Sequence, residues 1–106
     1  MVLNRKNAKT TQPVAGITRR IFAHTEKVLL TEHSLEKGAV LPDHKHPHEQ
    51  LIYLVSGSLL LEMNGEKIKL VQGDSIAIAS DVSHKAVALE ESVALDIFAP
   101  CRTDYL

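Results

Sequence analysis

The sequence predicts an all-β fold, a sandwich or barrel of short strands, and three observations carry that reading. Runs rich in Ile, Leu, Val and Thr recur at a spacing of roughly 8–12 residues, with turn residues between them. Several runs alternate: Ile68 and Leu70 stand against Lys67 and Lys69, and Ile76 and Ile78 against Ser75 and Ala77. Alternation of that kind buries one face of a strand and leaves the other in water. Asn64-Gly65 is a strong hairpin signal, because both central positions of a type I′ turn need positive φ.

In chain order, residues 1–15 are polar up to Pro13 and read as a flexible arm, and residues 16–106 read as one domain. The expected strands are Ile17–His24, Lys27–Leu35, Gln50–Val55, Leu59–Asn64, Lys67–Val71, Ser75–Ala79, Lys85–Leu89 and Val93–Phe98. Ser56-Gly57 and Gly73-Asp74 mark further tight turns. A helix competes only near Ala88–Val93, where the run is too short to stand alone. No repeat and no low-complexity tract interrupts the pattern.

Composition removes several classes of function. A chain of 106 residues folds as one domain with one core. A formal net charge of −1 and four aromatics (Phe22, Tyr53, Phe98, Tyr105) argue against nucleic acid as a partner. The polar N-terminus and the absence of a long apolar run lead us to expect a cytoplasmic protein with no membrane contact. Cys101 is the only cysteine, so neither an internal disulfide nor a thiolate cluster is available. Without a neighbouring base it is a poor nucleophile.

The chemistry concentrates in His44-Lys45-His46-Pro47-His48-Glu49-Gln50. Residues two apart in an extended segment project to the same side, so His44, His46 and Gln50 can face one ion. Imidazole suits Zn, Fe, Ni and Cu, a set of three histidines and a glutamine would accept Mn, Fe, Co, Ni or Zn, and a neutral amide oxygen leaves such an ion more Lewis-acidic. A fourth ligand has to come from elsewhere, and His84, just after the turn Ser80–Ser83, is the best candidate. His-rich runs are often solvated loops; here an apolar strand follows at once. His48 can exchange for His44 as half of a His-x-His pair, and is favoured as a rim residue. His24 and His33 read as surface or packed residues.

These residues resemble the motifs of the cupin superfamily. The first motif, G-x5-H-x-H-x3,4-E-x6-G, falls on Gly38, His44, His46, Gln50 and Gly57. The second, G-x5-P-x4-H-x3-N, falls on Gly73, Ala79, His84 and Ala88. Every gap matches, with Gln50 for Glu, Ala79 for Pro and Ala88 for Asn. The resemblance implies a cupin β-barrel, a jelly-roll-like double-stranded β-helix, holding one divalent transition metal through His44, His46, Gln50 and His84. Within the cupins the chain is similar to small pectin-degradation proteins of the KdgF type. Those share the His-x-His-Pro-His-x-Gln run and a tail like Asp96-Ile97-Phe98-Ala99-Pro100-Cys101-Arg102-Thr103-Asp104-Tyr105-Leu106.

That likeness implies conversion of 4,5-unsaturated monouronates from pectin or alginate into linear keto forms. Asp96 would be the acid/base group, Arg102 would pair with the substrate carboxylate, and Phe98 would wall the pocket. Asp96 lies between Ala94 and Phe98 in the alternation, and an inward charge needs a reason. An iron-dependent cupin dioxygenase and a non-catalytic sugar-acid or metal-binding cupin are the competing readings. A homodimer is expected, with the arm and Ile17–His24 pairing across a two-fold axis.

Overall fold

The computed structural model describes residues 1–106 and contains ten strands in two antiparallel sheets. The strands are β1 (Lys9–Val14), β2 (Ile17–His24), β3 (Leu29–Leu35), β4 (Val40–His44), β5 (Glu49–Ser56), β6 (Ser58–Met63), β7 (Glu66–Val71), β8 (Ser75–Ile78), β9 (His84–Ala88) and β10 (Ser92–Ala99). Six form one sheet in the order β1-β2-β3-β10-β5-β8, and four form the other in the order β4-β9-β6-β7. The expected all-β barrel is what the chain forms. Ala88–Val93 contains no helix; the one helical piece is a 3-10 turn at Thr103–Tyr105. No helix is long and apolar enough to cross a membrane.

Alternation explains which side chains meet between the sheets. On β5, Gln50, Ile52 and Leu54 are buried while Leu51, Tyr53 and Val55 face out. On β10, Ala94, Asp96 and Phe98 point inward. Ile17, Leu54, Leu61 and Ile78 are essentially inaccessible, each contributing roughly 2 kcal/mol by leaving water. A second, smaller cluster of Ile21, Leu29, Phe98 and Cys101 packs beneath Tyr105.

Two tight positions hold this arrangement. Asn64 (φ 53°) and Gly65 (φ 75°) adopt the positive φ expected of the hairpin between β6 and β7. Gly57 (φ +87°) sits where an added Cβ would lie 2.2 Å from Ser92 Oγ and 2.4 Å from the Glu91 carbonyl oxygen. That close approach lets β5 pass into β6 beneath the start of β10.

Two strands were not expected, and both are edges. β1 lies inside the segment read as an arm and pairs with β2. β4 pairs with β9. Each carries a proline at an irregularity in its ladder, Pro13 between Thr11 and Val14 and Pro42 between Leu41 and His44. Proline cannot donate to a ladder and demotes a run in any sequence reading, yet it is tolerated at a bulged edge. β1 also corrects the expected dimer contact: β2 is an interior strand, with both edges paired inside the same chain.

Candidate metal centre

The centre forms where the two sheets approach each other. β4 ends at His44, which lies opposite His84, the first residue of β9, in the four-stranded sheet. Lys45–His48 then carries the chain across to β5, where Gln50 pairs in register with Ile78 on one side and Phe98 on the other. His44 and His46 therefore converge through a change of sheet and not along one continuous strand. The ligating nitrogens available on His44, His46 and His84 all lie within 4.8 Å of one another. His48 lies outside that group, half-buried, with its Nδ1 unpartnered, the rim position favoured from sequence.

The backbone sets the tautomer of all three histidines. Nδ1 of His44, His46 and His84 lies 2.9 Å from the carbonyl oxygens of Pro42, His48 and Val82 respectively. A carbonyl only accepts, so each Nδ1 carries the proton and donates it, leaving each Nε2 as a bare lone pair. Burial pushes the affinity of His46 and His84 for a further proton below the ordinary imidazole range. Both are therefore neutral near pH 7, as ligation requires.

A conflict at His46 argues for a cation. Its Nε2 lies 3.0 Å from Gln50 Oε1, so two lone pairs face each other in a buried site. Flipping the amide does not help, because Gln50 Nε2 donates to Asp96 Oδ2 at 2.8 Å and a flip would set oxygen against carboxylate. Making His46 an imidazolium is opposed by its burial. A positive ion facing His46 Nε2 and Gln50 Oε1 resolves the conflict, and it also gives His84 Nε2, buried with no partner, something to bind. The donor set fits a divalent transition metal.

The remaining expected residues gather beside this centre. Asp96 is buried, with Oδ2 held by Gln50 and Oδ1 unpartnered. The Phe98 ring stands edge-on to His46 at 5.7 Å and to Tyr105 at 5.6 Å, so it serves the core and borders the site at once. Arg102 places its guanidinium carbon 5.2 Å from the Phe98 ring centroid and 4.1 Å from that of Tyr105. Asp104 accepts from Arg102 Nε at 3.1 Å and Nη2 at 2.8 Å, which holds the Asp104 carboxyl below its usual range. Arg102 Nη1 is left buried and without a partner.

Three neighbours escaped the sequence reading. Tyr105 lies between two guanidiniums, with Arg19 on its ring at 3.7 Å and Arg102 at 4.1 Å. Arg19 donates to His33 at 3.1 Å, and His33 faces Asp96 at 3.7 Å. A signal was present for two of them. Arg19 alternates with inward Ile17 and Ile21, and His33 with inward Thr31 and Leu35. Tyr105 gave none, because its place depends on the turn that folds the tail back.

Comparison with known proteins agrees with this architecture. The family model described as "Cupin domain" matches residues 31–98. The pectin degradation protein KdgF of Dickeya dadantii (strain 3937) is 37% identical over 93 residues, covering 86% of this chain and 84% of that one. The structure of KdgF from a Halomonas species superposes with a TM-score of 0.91 at 36% identity, covering 99% of this chain and 96% of that one. An RmlC-like cupin from Shewanella frigidimarina superposes with a TM-score of 0.92 at 25% identity over 99% of this chain and 95% of that one. The chain belongs to the cupin family and is a homologue of KdgF.

Proposed function

We propose that this cupin is a metal-dependent enzyme that opens 4,5-unsaturated monouronates, released from pectin or alginate, to their linear keto forms. The observation that carries the reading is Gln50, whose one amide faces the histidine cluster through Oε1 and holds Asp96 through Nε2. A group that orients a ligand and an inward carboxylate together suits chemistry in which protons move beside a polarised oxygen. The relationship to KdgF, named for pectin degradation, supports the substrate class.

The reaction is an isomerisation. The O1 hydroxyl of the cyclic hemiacetal loses its proton, the C1–O5 bond breaks to leave a C1 aldehyde and a C5 enolate, and C4 of that enolate gains a proton as C5 becomes a ketone. Formula and oxidation state are unchanged, so the work is proton transfer and oxygen stabilisation. A divalent ion held by His44, His46, Gln50 and His84 would supply Lewis acidity, undiminished by any anionic ligand.

The chain's own residues do the rest. Arg102 Nη1, which has no partner within the protein, receives the substrate carboxylate, while Asp104 accepts from Nε and Nη2 and fixes the plane of the guanidinium. Asp96 Oδ1, the free atom of its carboxylate, exchanges the proton. Tyr105, half-buried, offers apolar surface to the ring, with Phe98 packed against it from inside. The cavity beside Gln50, His84 and Asp96 measures about 40 Å³, too small for a sugar, so this reading places the ring outside it, toward Arg102.

The test follows loss of the unsaturated-uronate absorbance with metal-loaded protein and with Asp96→Ala. Fast loss with the wild type and little with the variant is expected. No loss with any of Mn, Fe, Co, Ni or Zn would refute the function and leave a metal-binding cupin. We further infer a homodimer. Leu51, Tyr53 and Val55 on β5 and Ile97 on β10 are exposed side by side on the outer face of the six-stranded sheet, an apolar surface that a second copy would cover. A monomer mass by light scattering at micromolar concentration would refute it.

A further inference from the structure

Arg19 and His33 have no part in the reaction as described, yet both point into the barrel. They face each other in register across β2 and β3, and Arg19 Nε lies 3.1 Å from His33 Nε2. A guanidinium has only donors and stays charged, so Nε gives its hydrogen and His33 Nε2 must be the bare acceptor. A neutral His33 then has one tautomer open to it, with the proton on Nδ1. That Nδ1 is buried with no hydrogen-bond partner, and Asp96 Oδ2 lies 3.7 Å away. The gap is longer than a formed hydrogen bond, and catalytic contacts commonly close only in the substrate complex.

We propose that Arg19 and His33 are positioning residues for Asp96. Arg19 holds His33 as the Nδ1–H tautomer, and that N–H joins the Gln50 amide in claiming Oδ2, so that Oδ1 is the one oxygen presented to substrate. The arrangement explains why Arg19 is held so firmly, with its guanidinium carbon 3.7 Å from the centre of the Tyr105 ring. The tail thereby fixes the arginine, the arginine fixes the proton, and the proton fixes the carboxylate. A histidine retained only for packing would need no defined tautomer.

The kinetic half of this inference rests on the uronate reading; the tautomer half does not. Long-range proton–nitrogen spectra of zinc-loaded, ¹⁵N-histidine-labelled protein read the tautomer directly. The expected result is His33 protonated at Nδ1 and bare at Nε2, with Arg19→Leu letting the proton move to Nε2. A wild-type proton on Nε2 overturns the proposal whatever the substrate proves to be. With unsaturated uronate, His33→Leu is expected to lower kcat about 10- to 100-fold with KM within about twofold. His33→Asn, which keeps an N–H near the Nδ1 position, should recover most of that loss. An unchanged kcat in His33→Leu, or equal losses in both variants, overturns the positioning role. A failed uronate reading shows itself differently, as the expected wild-type spectrum with no turnover by any of the proteins.

Discussion

Replacing Gln50 by glutamate would restore the residue of the usual cupin motif, and the geometry says that it should cost activity. Gln50 Nε2 donates to Asp96 Oδ2 at 2.8 Å, and both side chains are buried. The substitution removes a hydrogen bond to a charged group, about 2 kcal/mol. It also sets two carboxylates at that spacing, where unit charges repel by about 6 kcal/mol at an effective dielectric constant near 20. The pair can relax by sharing one proton or by turning Asp96 away, and either route takes Oδ1 out of service. Metal affinity should hold or improve, because the new ligand is anionic. The ring-opening kcat should fall about 100-fold or more, the usual worth of a placed proton-transfer group. Calorimetric metal titration in two buffers of different ionisation enthalpy would count the proton, beside the absorbance assay for turnover. A metal-loaded Gln50→Glu protein within about twofold of wild type would refute the argument that the amide exists to hold Asp96.

Other perturbations have expected outcomes of their own. Arg102→Lys loses the fork that Asp104 holds; KM for the uronate should rise about 10-fold or more, and an unchanged KM would remove Arg102 from carboxylate binding. His46 and His84 are neutral when folded and bind a further proton less readily than in the unfolded chain, whose imidazoles take it below about pH 6.5. The unfolded state then holds more protons, so metal-free protein should lose stability as pH falls through that range. A melting midpoint of chelator-treated protein equal at pH 7.5 and 5.5 would contradict this. Gly57→Ala forces a Cβ within 2.4 Å of the Glu91 carbonyl oxygen at a positive φ; a loss of about 3 kcal/mol or more is expected in denaturant titration, and a loss below about 1 kcal/mol would show that the β5–β6 junction yields easily.

The fold was legible where local chemistry and burial agreed. Alternation marked β7, β8 and β10, and the Asn64-Gly65 turn marked the hairpin. β1 and β4 were hidden because an edge strand needs no apolar face and each holds a proline. The cluster of His44, His46 and His84 was legible because its spacing is encoded along the chain, and Gln50, which faces His46, lies on that same spacing. Asp96 stood out as an acid on an inward face. What stayed out of reach was pairwise: which imidazole nitrogen keeps its proton, which oxygen of Asp96 is left free, and that Arg19 reaches His33. Those depend on strand register and on the returning tail, which single-residue patterns do not carry.

The path of the chain through the centre has a mechanical consequence. His44 and His84 belong to the four-stranded sheet, while Gln50 belongs to the six-stranded one. An ion gripped by all of them would act as a rivet between the two layers, tying Gln50 to His44 and His84 in a chain whose single cysteine can form no internal disulfide. Loading the metal and clamping the shell are then one event.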